Sequence, residues 1–178
     1  MIYKSIPQIF ETIDDTRERI FKRVEGLSDE QLKSRPAPNV WSVAEIVEHL
    51  AKIESLLLGM IKMMLTKAEG VSQKSDGAHV EVKPFSLDEL IERARNEKYT
   101  APESASPSGR EQLSDSLAQL RRSREELHIL RPRIEAIDLS TVTYRHPAFG
   151  PLNFYQWLAF IGVHEERHLS QIESASSQ

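Results

Sequence analysis

Four stretches of this 178-residue chain repeat apolar residues at steps of three, four or seven, and that rhythm constrains the fold more than any other feature. It gives each stretch one apolar stripe, the pattern of a helix with one buried face, where a half-buried strand would alternate. The first stretch carries Ile6, Ile9, Phe10, Ile13, Ile20, Val24 and Leu27 and is expected to run to about Gly26. The second carries Val43, Ile46, Val47, Leu50, Ile53, Leu57, Met60, Ile61 and Met64, ending near Gly70. Leu113, Leu117, Leu120, Leu127 and Leu130 mark the third, which Pro132 is expected to break or kink. Phe154, Trp157, Leu158, Ile161, Leu169 and Ile172 mark a fourth that runs almost to the carboxyl end.

The starts are marked as well. Ser or Asn followed three residues later by Glu or Gln satisfies two orphan helix amides reciprocally. Ser5 with Gln8, Ser42 with Glu45, Ser108 with Glu111 and Asn153 with Gln156 are expected to open the long helices, and Ser28 with Gln31 and Ser86 with Glu89 shorter ones. Trp41 adds a hydrophobic staple toward Ile46. Four such helices predict an all-α four-helix bundle formed by a single domain, residues 1–178. Between the second and third helices lies an extended connection, residues 69–107, with a short helix expected from Leu87 to Asn96. A connection that long can cross the bundle in either direction, so periodicity leaves the connectivity open. Val142 to Pro151 reads as an irregular loop.

Composition removes several functions. Twenty-three Lys and Arg against 27 Asp and Glu give a net charge of −4, which supplies no general attraction to nucleic acid or anionic lipid. The longest apolar run, Leu56 to Leu65, is interrupted by Lys62 and falls well short of the ~20 residues a spanning helix needs. The amino terminus carries no secretory pattern, so a cytoplasmic protein is expected. With no cysteine in the chain, histidine and carboxylate are the good metal ligands available, and any thiol chemistry needs a borrowed thiol.

Chemistry concentrates on the fourth helix. His164 and His168 are four residues apart, so they leave one face roughly 6 Å apart along the axis, a spacing at which two imidazoles can share one ion. On the helical wheel His168 falls between Trp157 and Ile161, and Glu165 between Phe154 and Leu158, so both point into the apolar stripe and need partners there. His49 lies three after Ile46 and four before Ile53, on the inner flank of the second helix. Three histidines on two bundle helices suit a metal with an open position. The alternative for each is a hydrogen-bonded core histidine.

His164 to His168 also spells the short HExxH pattern, but the downstream positions where metzincins hold Gly and His carry Gln171 and Ser174, which argues against a protease. Glu165 remains a candidate general base, or a carboxylate that orients a ligand imidazole. The capping box accounts for Glu45. His146 is a candidate for the rim of the site, while His79 and His128 are expected to face solvent. Arg121, Arg122, Arg124, Arg131 and Arg133 read as a solvated face interleaved with Glu125 and Glu126. Met60, Met63 and Met64 offer an adaptable surface for a substrate or a second subunit, although a helix core explains most of that stripe.

Trp41-Ser-Val-Ala-Glu-Ile-Val-Glu-His49-Leu, His146-Pro-Ala-Phe-Gly150, Tyr155-Gln-Trp and His164-Glu-Glu-Arg-His168-Leu-Ser-Gln-Ile172 together resemble the DinB-like (DinB/YfiT-like) metalloenzymes, over nearly the whole chain. The resemblance implies a four-helix bundle with a divalent metal, usually zinc or nickel, on His49, His164 and His168. It implies activity only loosely: thiol-dependent S-transfer with a small thiol such as bacillithiol or mycothiol, or hydrolysis. A non-enzymatic metal-binding bundle is a third reading. A small-molecule substrate and a homodimer are the expected partners, with neither nucleic acid nor membrane.

Overall fold

The computed structural model describes residues 1–71, 80–96 and 103–175. Four long helices form the body: α1 (Ile6–Glu25), α3 (Val43–Val71), α5 (Leu113–Glu135) and α6 (Phe154–Ala175). Short α2 (Asp29–Lys33) lies between α1 and α3, and α4 (Asp88–Asn96) lies in the long connection, where the sequence placed a short helix. Strands β1 (Ile2–Tyr3) and β2 (Phe85–Ser86) pair antiparallel and tie the amino terminus to that connection.

Capping explains most boundaries. The boxes at Ser28 and Gln31, Ser42 and Glu45, and Asn153 and Gln156 are complete in both directions. Ser5 caps α1 by accepting from the Gln8 amide, whereas the Gln8 side chain reaches back to the Lys4 amide instead of Ser5. Ser86 likewise takes the Asp88 amide and makes no box with Glu89. Two further expectations fail. Ser108 opens no helix: α5 starts at Leu113 without a side-chain cap, and Ser108 gives both its amide and its hydroxyl to Glu48. Pro132 neither ends nor interrupts α5, which continues to Glu135. So close to the carboxyl end, the missing proline amide removes one ladder bond with only a few residues left to carry.

Side-chain pairs establish the direction of each helix. Between α3 and α5 the pairs Ser55–Gln119, Lys62–Glu126 and Glu69–Arg133 all keep an offset of 64 residues, so these helices run parallel. Ile13 meets Gly162, Arg17 meets Glu165 and Arg19 meets Glu166, so α1 and α6 are parallel too. A Cβ on Gly162 would sit 3.0 Å from Ile13 Cγ2, and glycine there allows the close approach. In contrast, Arg17 reaches Leu120, Asp14 reaches Arg124, and Phe10 meets His128 and Arg131, a descending series that makes α1 and α5 antiparallel. The order is up-down-down-up. Because α3 and α5 point the same way, the chain must return along the bundle between them. For a helix of 29 residues that is roughly 43 Å, which accounts for the long connection.

The segment expected as an irregular loop before α6 is a hairpin of β3 (Thr143–His146) and β4 (Gly150–Asn153). Gly150, at φ 78°, opens β4 in a left-handed conformation that a three-residue hairpin turn favours.

The core is in two parts. One centres on Ile9, Phe10, Ile13, Leu58, Ile61, Leu127, Leu158 and Ile161, and the other on Ile20, Val24, Leu50, Ala51, Leu120, Leu169 and Ile172. Between them each long helix contributes one buried charge: Arg17, Glu54, Arg124 and Glu165.

Candidate metal centre

His49 enters from α3 and His164 and His168 from α6, and one ring nitrogen of each lies within 4.8 Å of the others. His164 Nε2 is 3.4 Å from His49 Nε2 and 3.2 Å from His168 Nε2. Two nitrogens bound tetrahedrally to zinc at ~2.0–2.1 Å would be about 3.3 Å apart, so the spacing fits an ion. His49 and His168 are buried, and His164 is partly exposed, leaving an approach from its side.

Proton positions strengthen the fit. His49 Nδ1 lies 2.8 Å from the Ala105 carbonyl oxygen, and His168 Nδ1 lies 2.7 Å from Gln171 Oε1. Both neighbours are acceptors, so both rings carry their proton on Nδ1 and turn a bare Nε2 toward His164. His164 can bring at most one proton to that meeting. Three nitrogens therefore share no more than one hydrogen, an arrangement a cation completes. A proton is a poor substitute: burial holds His49 below the usual imidazole range and His168 to about 3. His164 is lowered well below that range by burial first and then by its two histidine neighbours. Trp41 packs its ring 5.0 Å from that of His49.

The other expected residues fall elsewhere. Glu165 is buried, but its oxygens accept from Arg17 Nε at 2.7 Å and from Arg124 Nη2 at 3.2 Å, with a further bond from the Arg17 terminal nitrogen. The base and imidazole-orienting roles expected for it find no partner in that geometry: both oxygens face guanidiniums, and among the described residues neither is hydrogen-bonded to an imidazole. Arg124, expected on a solvated face, is buried and also donates to the Ile13 carbonyl. Arg17 pairs with Glu54 as well, and burial, partly offset by Glu165, lowers it to about 10. The signal for this quartet was legible: Arg17, Glu54 and Arg124 interrupt apolar stripes at core positions of their helices.

His146 sits on the hairpin, stacked on Phe149 and 5.1 Å from Trp157, and Phe160 separates it from His164. Its Nδ1 accepts from the Ala148 and Phe149 amides, and burial lowers it to about 4, so it is neutral and anchors the turn. His128 is exposed and pairs with Asp14. His79 lies outside the described residues. Sequence reading missed the two groups that orient the imidazoles. Gln171 carried a signal, one turn after His168; the Ala105 carbonyl carried none, because it arrives from 56 residues away.

A family comparison decides the membership: the model of the DinB superfamily matches residues 12–172. The chain belongs to the DinB superfamily. Uncharacterized protein YuaE of Bacillus subtilis is 32% identical to this DinB-superfamily chain over 164 residues, covering 90% of it and 92% of YuaE. Two solved structures share the DinB-superfamily chain's fold. YfiT from Bacillus subtilis, described as a probable metal-dependent hydrolase with an unusual four-helix bundle topology, superposes with a TM-score of 0.62 at 16% identity. That match covers 96% of this chain and 85% of YfiT. TT2238, a four-helix bundle protein, gives 0.63 at 18% identity, over 96% of this chain and 99% of its own. Among the described residues, no helix is long and apolar enough to cross a membrane.

Proposed function

We propose that His49, His164 and His168 hold one divalent cation, zinc or nickel, and that the protein is a metal-dependent enzyme acting on a small molecule with a low-molecular-weight thiol as cosubstrate. The observation that carries the metal reading is the meeting of three Nε2 atoms with at most one proton among them. An ion held there supplies Lewis acidity, favouring the anionic form of a nucleophile beside it. A thiol suits this site better than a nucleophile that needs a dedicated base. Its pKa of ~8.5 is already near neutrality, and the one core carboxylate on α6, Glu165, is engaged by arginines. In the transfer the thiolate sulfur forms a bond to an electrophilic carbon, the carbon–leaving-group bond breaks with its electron pair, and the thiol proton passes to solvent. The chain itself has no cysteine to compete.

Hydrolysis is the second reading, favoured by the description of YfiT as a probable metal-dependent hydrolase. A homodimer through the surface around the exposed Met63 is a further proposal, which light scattering showing only monomer overturns.

The first experiment is elemental analysis of untagged protein by plasma mass spectrometry, wild type beside His49→Ala and His168→Ala. About one equivalent of metal in wild type and none in the variants is expected; a wild type that takes up neither zinc nor nickel overturns the reading. The loaded protein is then offered epoxides and haloalkanes with a thiol, and esters and amides without one. Conjugates that need both metal and thiol support transfer, and thiol-independent cleavage supports hydrolysis.

A further inference from the structure

Residues 105–109, the last turn of the long connection before α5, are fastened to one stretch of α3 by three side chains in a row. Glu48 is buried, and its Oε1 accepts from the Ser108 amide at 2.6 Å and the Ser108 hydroxyl at 2.8 Å, while Oε2 accepts from the Gly109 amide at 3.0 Å. Lys52, one turn on, pairs with Glu48 at 2.8 Å and donates to the Ser106 carbonyl at 3.0 Å. Between them, His49 donates from Nδ1 to the Ala105 carbonyl, and Ala105 is fully buried. Gly109 takes φ 67°, and a Cβ there would meet Glu45 Oε1 at 3.4 Å. The strap therefore lies flat on α3 where glycine permits the bend.

We infer that Glu48 is a positioning residue for the metal centre, acting through this strap: it seats Ala105, whose carbonyl keeps the His49 proton on Nδ1 and its Nε2 bare for the ion. The inference rests on the metal reading above and adds its regulation. Docking of the strap and occupancy of the site are one linked equilibrium, because the ion binds the His49 tautomer that the docked strap selects. Linkage is reciprocal, so the ion must also hold the strap down. Partners that orient a ligand imidazole are worth 10–100-fold in metal affinity, which sets the expected size.

The test is a zinc titration of the apo full chain, followed in parallel by hydrogen-exchange mass spectrometry over residues 103–110. In wild type, zinc slows exchange at the Ser108 and Gly109 amides. Glu48→Ala speeds that exchange with and without zinc and weakens zinc binding 10–100-fold, and Glu48→Gln, which keeps an acceptor for the strap amides, recovers most of both. Gly109→Val frees the strap from its own side, keeps every residue of α3 as it is and gives the same pair of effects, which covers the case of a poorly folding Glu48→Ala. His164→Ala loses zinc yet keeps strap protection at the apo level. A strap freed by Glu48→Ala or Gly109→Val while zinc binds as in wild type overturns the coupling, and so does a strap that stays protected in Glu48→Ala. A wild type that takes up neither zinc nor, in the same titration, nickel overturns the metal reading and the coupling with it, while metal bound with strap exchange unchanged overturns the coupling alone.

Discussion

Two buried polar groups lie side by side on α6 and solve the cost of burial in opposite ways. The quartet of Arg17, Glu54, Arg124 and Glu165 takes one charge from each long helix, two of each sign, and balances its charges internally, although Glu54 Oε1 and Arg124 Nε, 3.5 Å apart, make no hydrogen bond among the described residues. The triad of His49, His164 and His168 is closed only on its outer side, by Ala105 and Gln171, and its inner nitrogens face one another with too few protons. Glu165 lies between the two histidines of α6 in sequence and still belongs to the other group. Burial of a polar side chain is thus no guide to function by itself. What separates a site from a structural layer is whether the protein supplies the complement of each buried group or leaves it for something else.

The largest expected effect breaks the balanced group. Arg17→Met leaves two buried carboxylates against Arg124 alone and is expected to cost about 3–5 kcal/mol in urea unfolding. Replacing all four charges by apolar residues of similar size should cost less than that single change; a larger cost would show that the layer holds the bundle together by more than charge compensation.

Next in size is the effect of filling the open group. At a free zinc concentration about a thousandfold above the dissociation constant, wild type should gain ~4 kcal/mol, and His168→Ala should gain none at the same concentration. Equal gains in both would locate the ion away from the triad.

A pH series separates the groups further. In the folded apo protein His168 is held to about 3 and His146 to about 4, while the unfolded chain titrates near the ordinary value of 6.5. Their contribution to stability is complete above pH 6.5 and is lost as pH falls toward 4 for His146 and toward 3 for His168, because the unfolded state binds more protons in that window. The apo protein should lose up to ~1.4 kcal/mol per pH unit for each such histidine, and His168→Phe should flatten the slope. Arg17, at about 10, stays charged through that window. An unfolding free energy that is flat from pH 7 to 4.5 would contradict the neutral imidazoles.

The smallest effect is expected on the surface. Lys62–Glu126 marks the parallel register of α3 and α5, but both side chains are nearly half exposed. Glu126→Gln should leave the urea midpoint essentially unchanged, because solvent and salt screen such pairs. A large loss would mean that the register depends on surface charge rather than on the buried layer.

The helices were legible because their signals are short-range. Complete boxes at Ser28, Ser42 and Asn153 involve residues three apart, and the stripes repeat within one turn or two. His164 and His168 were legible as a pair for the same reason, and His49 from its place on its own stripe. Ser108 shows the limit. Its local pattern is that of a cap, but a buried carboxylate 60 residues away makes the stronger claim on its donors.

Local pattern was enough for the four helices, for their apolar stripes and for placing His49, His164 and His168 as candidates for one site. Packing added the parallel pairing of α1 with α6 and of α3 with α5, the arginines that engage Glu165, and the carbonyl under His49. The physical reason is distance along the chain. A stripe says that a face is buried without saying against what, and a long connection removes the short-loop rule that would make consecutive helices antiparallel. Contacts between residues 56 to 148 apart then select the arrangement.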